Sequence, residues 1–271
     1  MNPNPQPPQP HQPNKAAPAG ILLLDKPVGP TSMKLCIIVR AKLVAAGAPK
    51  RVKVGHGGTL DPLASGLMVI LVGAATKLCD QIMIGEKGYR ARIDLSSTSP
   101  TDDLESEPIP AEITRRPTED DIRKILPEFT GLIMQAPPAH SAMKVNGKRA
   151  YELARAGKLD RLEPRPIKIH ELTIVEYSWP MLTLDIRCGK GTYIRSLARD
   201  LGRALNVGGM LAGLRRTHIG RFSVDDAAGL EALPNTLNQG DLTILPEVQV
   251  ILDRRRDSQL SKPKPTQPPP S

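Results

Sequence analysis

The sequence predicts an α+β domain on three observations. Tyr89, Ala91, Ile93 and Leu95 alternate with Arg90, Arg92 and Asp94, the period of two that a half-buried strand imposes. Leu67 to Val72 is an unbroken apolar run, short enough for a buried strand. Thr192 to Leu205 instead spaces Ile194, Leu197, Ala198, Leu201 and Leu205 along one helical face, with Arg195, Arg199 and Arg203 around the other side. Mixed elements of this length, without an internal repeat, predict packed layers rather than a solenoid.

The remaining elements follow in chain order. Ile21 to Leu24 is a short apolar strand ending in Asp25-Lys26-Pro27. Thr31 to Ala46 begins with an N-cap, Thr31 or Ser32, and continues with helical spacing through Leu35, Ile38, Val39 and Leu43. Ala74 to Met83 and residues 118 to 126 read as helices, and Ile167 to Tyr177 with Met181 to Cys188 reads as a strand pair. Asn146-Gly147 is the dipeptide of a tight hairpin.

Composition limits the function classes. Of 271 residues, 37 are Lys or Arg and 28 are Asp or Glu, for a net charge of +9. The 28 prolines gather at the ends, 7 of them in residues 1 to 20 and 5 in residues 254 to 271. Both ends hold too little apolar surface to offset the entropy of ordering them, so residues 1–19 and 254–271 are expected to be disordered tails around a 20–253 domain. Residues 21 to 253 carry 31 basic and 27 acidic residues, a balance of only +4. No apolar run approaches a membrane span and the first twenty residues lack a signal peptide's apolar stretch, which predicts a cytoplasmic protein with no membrane partner.

The arrangement of charge is more informative than its total. Lys26 to Leu60 contains seven basic residues and no acidic one, and Arg187 to Arg221 contains eight against Asp200 alone. This segregation favours a face turned toward a polyanion. Cys36, Cys79 and Cys188 are widely separated and fall in no CxxC pair, so they predict neither disulfides nor zinc, and the five histidines show no metal spacing.

The densest chemical signal is residues 55 to 66, Gly-His-Gly-Gly-Thr-Leu-Asp-Pro-Leu-Ala-Ser-Gly. Four glycines require a sharp turn or a close approach. A phosphate-cradling loop is one reading, although the Lys-Ser/Thr ending of a P-loop is absent. Taken alone, Asp61 before Pro62 reads as a turn aspartate rather than a functional one.

The whole string resembles the catalytic motif of the TruB family of tRNA pseudouridine synthases, usually GHTGTLDPLATG. The resemblance continues in family order through LDKP at 24 to 27, Lys87-Gly88-Tyr89, QAPPAHSAMKVNGKRAYELAR at 135 to 155, RCGKGTYIRSLARDLG at 187 to 202, and Leu214-Arg215-Arg216-Thr217 before Gly220-Arg221-Phe222. It implies a synthase core on a mixed, largely antiparallel sheet flanked by helices. The implied reaction isomerises uridine-55 in the T loop of tRNA: the bond from ribose C1′ to uracil N1 breaks and C5 takes its place, with no metal and no cofactor. The implied partner is tRNA through its T-arm stem-loop, with no required protein partner and a monomeric enzyme. A catalytically silent RNA-binding or tRNA-folding protein on the same scaffold is the alternative.

Carried over residue by residue, the resemblance makes Asp61 the nucleophile, Tyr89 the aromatic against the target base that can move a proton, and Arg195 the partner of the catalytic carboxylate. It gives His56 a part in holding the flipped nucleotide, Lys26 a contact with the active-site loop or a phosphate, and Leu214 a place in the wall of the base pocket. Core packing competes for Lys26 and Leu214, and a structural histidine for His56. Arg199 and Arg203 are expected to be solvated helix arginines. The chain departs from the family at Gly57 and Ser65, where Thr is usual, and at His140, where Tyr is common. Which of Asp102 and Asp103 matches the family aspartate stays open, and the small C-terminal RNA-binding domain common in the family is not expected here.

Overall fold

The computed structural model describes residues 17–138, 143–145, 147–157 and 162–260. Its elements in chain order are β1 (Gly20–Lys26), α1 (Ser32–Ala45), β2 (Val54–His56), β3 (Ala64–Val72), α2 (Cys79–Ile84), β4 (Lys87–Asp94), β5 (Ser97–Thr98), β6 (Ile109–Pro110), α3 (Glu119–Ile125), β7 (Gly131–Gln135), β8 (Lys144–Val145), β9 (Lys148–Arg149), α4 (Ala150–Arg155), β10 (Arg165–Ser178), β11 (Met181–Cys188), α5 (Ile194–Ala204), β12 (Met210–Ile219), β13 (Phe222–Ser223), β14 (Ala228–Gly229) and α6 (Pro246–Leu260). Ten strands form one sheet in the order β14-β1-β3-β12-β4-β11-β10-β7, with β13 beside β12 and β2 beside β3. Its pairings are antiparallel except β1 with β14 and β12 with β3. The expected α+β fold on a mixed, largely antiparallel sheet is the one observed.

Each strand's sequence records what covers it. On β3, Met68, Ile70 and Val72 pack toward α1, while Leu67, Val69 and Leu71 pack toward Ile82 of α2 and Val248 of α6. Both faces are dry, so the run has no polar alternation. On β4, Ala91 and Ile93 are buried with Leu197 and Leu201 of α5, and Arg90 and Arg92 face solvent. Helix α1 is capped by Thr31, whose hydroxyl accepts from the Lys34 amide, and it buries Leu35, Val39 and Leu43. Each of those side chains contributes roughly 1.5–3 kcal/mol by leaving water.

Some expectations shift. The segment expected as one helix over 74–83 is a 3-10 turn, Gly73–Leu78, followed by α2. The strands β7 and β12 were not anticipated. β12 breaks its alternation with two register shifts against β4, at Leu211/Gly213 and Arg216/His218, and places two arginines mid-strand. Ordered contacts and helix also reach past residues 20 and 253. Ala19 is buried; its backbone N–H donates to Gln239 Oε1 and its carbonyl accepts from Gln239 Nε2. At the other end α6 continues to Leu260 without a Pro or Gly to stop it after Asp253. Residues 1–16 and 261–271 lie outside the described residues, as do His140 and Asn146, although β8 and β9 pair around Asn146-Gly147 as a hairpin requires.

Candidate active site

Asp61 sits on the loop between β2 and β3, and that loop is fastened at nearly every residue from 58 to 64. Ser32, buried at the start of α1, donates through its hydroxyl to Leu60 O at 2.9 Å and accepts from Leu60 N at 2.8 Å. Arg216, on β12, donates to Gly58 O and Thr59 O at 3.1 Å each and to Leu67 O at 2.8 Å. Lys26 donates to Pro27 O at 2.9 Å, Pro62 O at 3.2 Å and Ala64 O at 2.6 Å. Gly29 N adds a bond to Pro62 O at 2.8 Å. The carboxylate thus stands on backbone that has little freedom to move.

The Asp61 side chain is 48% exposed and lies 3.3 Å from Arg195 Nη2, whose own side chain is only 7% exposed. The other arm of Arg195 reaches Asp103 Oδ2 at 3.3 Å and Thr101 O at 3.4 Å. One guanidinium therefore joins two carboxylates, a geometry that a planar fork provides and a point charge does not. The neighbouring Asp102, at φ 60°, turns the other way and meets Arg199 Nη1 at 2.8 Å. Arg199 also donates to Ala136 O at 3.0 Å and pairs with Asp200, so it is not the solvated helix arginine its sequence position suggests. Burial pushes the Asp102 carboxyl above its ordinary value, against the pull of Arg199. Of the two aspartates, Asp103 is the one tied to the Asp61 pair.

A cleft of about 1150 Å³ opens beside this pair, lined by Asp61, Tyr89, Arg195, Leu214 and Arg216 among others. A second groove of about 910 Å³ meets it at Asp61 and Leu214. Leu214 pairs in register with Ala64 on one side and Ala91 on the other, which puts its side chain at the centre of the sheet. Tyr89 lies across from Arg216 and is half-buried. Burial raises its phenol, and the Arg216 charge works against that rise.

The structure thus brings together Asp61, Tyr89, Arg195 and Leu214. Lys26 does not join them. It is fully buried and its three donors are taken by loop carbonyls, which leaves the loop role and no donor for a phosphate. Burial lowers its ammonium, with Asp61 opposing. His56 ends β2 without lining the cleft, and its Nδ1 is buried with no hydrogen-bond partner among the described residues. Burial, then Arg216, hold its imidazole below the ordinary range.

Gly57, where the family usually carries Thr, has a neighbour that explains it: a Cβ there would stand 2.4 Å from Ile82 Cγ2. Gly66, at φ 104°, lets β3 approach β12 so closely that a Cβ would fall 2.2 Å from Arg216 O. Sequence reading missed Ser32 and Arg216 as parts of the site, and it left the choice between Asp102 and Asp103 open. The adjacent arginines in Leu214-Arg215-Arg216-Thr217 were the available signal, because one of two consecutive residues on a strand must point inward. Arg215 faces outward to Asp25 at 2.7 Å.

Among the described residues no group of three or more His, Cys, Asp or Glu is placed to hold a metal ion, and no helix is long and apolar enough to cross a membrane. Comparison with known proteins places this geometry in context. Residues 46–194 match the family model for the TruB family pseudouridylate synthase N-terminal domain, and residues 195–248 match the tRNA pseudouridylate synthase B C-terminal domain. The second segment supplies α5 and β12, so it is built into the central sheet. The chain is 45% identical over 215 residues to tRNA pseudouridine synthase B of Rhodopseudomonas palustris, covering 79% of this chain and 57% of that protein. It is 42% identical over 224 residues to the protein of the same name from Parabacteroides distasonis, covering 83% and 95%. Among solved structures, a Cbf5-Nop10-Gar1 complex matches with TM-score 0.59 at 29% identity, covering 82% of this chain and 59% of that one. An H/ACA RNP bound to a substrate RNA containing 2′-deoxyuridine matches with TM-score 0.57 at 26% identity, covering 88% and 55%.

Proposed function

The chain belongs to the TruB family of tRNA pseudouridine synthases, and from that premise we propose that it isomerises uridine-55 in the T loop of tRNA with Asp61 as nucleophile. The observation that carries this reading is the half-exposed Asp61 carboxylate opening on the cleft while the buried Arg195 holds it from behind. In the reaction the bond from C1′ to N1 breaks, the base turns, C1′ bonds to C5, and a proton leaves C5 while N1 gains one. Nothing is oxidised or reduced. An ionised carboxylate can trap or stabilise the electron-poor centre, as in glycoside cleavage. Attack at C1′, attack at C6 and a glycal route all require the same aimed carboxylate.

Tyr89 and Leu214 flank the space beside Asp61, an aromatic face and an apolar wall between which a uracil ring can turn. The target must first leave the stack of its loop, which costs less there than in a duplex. The partner is RNA, and the T arm alone suffices for recognition by the 20–253 catalytic domain. The enzyme acts as a cytoplasmic monomer without a protein partner. Unmodified tRNA transcript, incubated with the protein and mapped for pseudouridine at single-nucleotide resolution, should gain one modification in the T loop. Binding without any modification would replace this reading with that of an RNA-binding protein.

A further inference from the structure

Tyr193 is the residue from which α5 starts, two places before Arg195, and its side chain makes no capping bond to the helix. A helix start whose amides lack partners frays. Gln135, the last residue of β7 and only 2% exposed, supplies the missing bond. Tyr193 N donates to its Oε1 at 2.9 Å, and its Nε2 donates to Tyr193 O at 3.1 Å. That carbonyl already accepts from Leu197 N at 3.1 Å, so Gln135 takes its second lone pair. Only one orientation of the amide satisfies both bonds, with oxygen toward the N–H and nitrogen toward the C=O. Arg165, paired with Gln135 from β10, donates through Nη2 to Gly191 O at 3.0 Å and lies 5.4 Å from the centre of the Tyr193 ring. One rung at the edge of the sheet thus grips the chain where it enters α5.

We propose that Gln135 is a positioning residue of the isomerisation, setting the first turn of α5 so that Arg195 meets Asp61. The proposal rests on the reaction assigned above and deepens it. Asp103 and Thr101 O hold the tip of the Arg195 side chain, and the helix start holds its Cα. The guanidinium reaches Asp61 only when both ends are placed. Farther along the helix, Arg199 donates to Ala136 O, so the end of β7 and the residue after it hold α5 at two levels. Gln135 lines neither groove that opens on Asp61, so it acts through Arg195 and not on the nucleotide.

Gln135→Leu keeps most of the side chain's volume and removes both bonds. Gln135→Glu keeps the shape: protonated, the introduced carboxyl accepts from Tyr193 N and donates to Tyr193 O, whereas ionised it meets that carbonyl without a donor. In Gln135→Leu the single-turnover rate on tRNA transcript should fall on the order of 10- to 10²-fold, the scale of a misplacement of about 1 Å at the chemistry. Affinity for tRNA should stay within about twofold of wild type. The deficit of Gln135→Glu relative to wild type should be smaller than that of the Leu variant and should shrink as pH falls from about 8.5 to about 6, because burial raises the introduced carboxyl into that range. In an Arg195→Lys background, Gln135→Leu should cost less than about threefold more, since the group it places is already gone.

A readout free of turnover accompanies these rates. The Tyr193 amide, followed by hydrogen exchange in the free protein, should exchange at least about tenfold faster in Gln135→Leu than in wild type. Full rate in Gln135→Leu, unchanged exchange at Tyr193, or an equal loss from Gln135→Leu in both backgrounds would overturn the proposal. If the Leu variant does not fold, Gln135→Glu carries the test, and a deficit that stays the same at every pH overturns it. If wild-type protein forms no pseudouridine, the assigned reaction fails, and the Tyr193 exchange still reports on the Gln135 contact.

Discussion

Arg195 Nη2 and Asp61 Oδ2 stand 3.3 Å apart, and the two residues share that contact unequally: the arginine is buried and the aspartate half-exposed. The anchor on the protein side is Asp103, which takes the other arm of the same guanidinium. Arg195 is thereby fixed before any substrate arrives, and Asp61 is aimed by a group that cannot swing away.

Asp61→Asn and Asp61→Ala should therefore abolish pseudouridine formation while tRNA affinity stays near that of wild type. The amide keeps the shape and loses the charge. Modification of transcript by Asp61→Asn above background, measured at single-nucleotide resolution, would remove Asp61 from the nucleophile role.

Arg195→Lys should retain binding and lose rate on the order of 10²- to 10³-fold, comparable with the loss of one preorganised donor in other active sites. A lysine ammonium cannot reach Asp61 and Asp103 with a planar fork. Single-turnover kinetics at saturating protein isolate the chemical step from binding, and a rate within a few fold of wild type would contradict the bridging role.

The parts of this site legible in the sequence are those whose chemistry needs a particular side chain in a particular string: the carboxylate at 61, the aromatic at 89, the arginine at 195. β4 was legible because one face is wet, so Arg90 and Arg92 mark the alternation. β12 was not, because its two register shifts against β4 interrupt the period and its inward-facing Arg216 looks like a surface residue. The fastenings of the Asp61 loop were also hidden. Ser32, Lys26 and Arg216 act on backbone oxygens, and a carbonyl leaves no trace in the residue types around it. Sequence could place Lys26 near the loop, but only the three carbonyls around its ammonium show that its donors are spent.

His56 gives a pH prediction that can be read without substrate. Burial holds its imidazole below the ordinary 6.5, so the unfolded chain binds a proton at a pH where the folded chain does not. Stability contributed by this site is therefore present above about pH 6.5 and is lost as pH falls below it, with a limiting slope of about 1.4 kcal/mol per pH unit. His56→Gln removes that slope. Urea midpoints for wild type and variant, compared between pH 5 and 8, should diverge in the acid range, wild type losing more. Parallel curves would mean that His56 takes up its proton alike in the folded and unfolded states.

Gly57 offers the last test, because it separates a tolerated departure from a functional one. The loop gave up the usual threonine, and Ile82 from α2 occupies the space that side chain would need, its Cγ2 2.4 Å from a Cβ built on residue 57. Isoleucine is branched at Cβ and cannot swing aside cheaply, so Gly57→Thr should overpack the contact and destabilise the protein by roughly 1–3 kcal/mol. Ile82→Ala alone should also destabilise, by leaving a cavity beside Val69. Together the two substitutions should cost less than their sum, since the new side chain fills the space the old one vacates. Denaturant unfolding of the four proteins closes this double-mutant cycle. Additive losses would show that Gly57 and Ile82 do not compete for one space. If instead Gly57→Thr keeps its stability and loses turnover, the glycine is serving the geometry of the Asp61 loop directly.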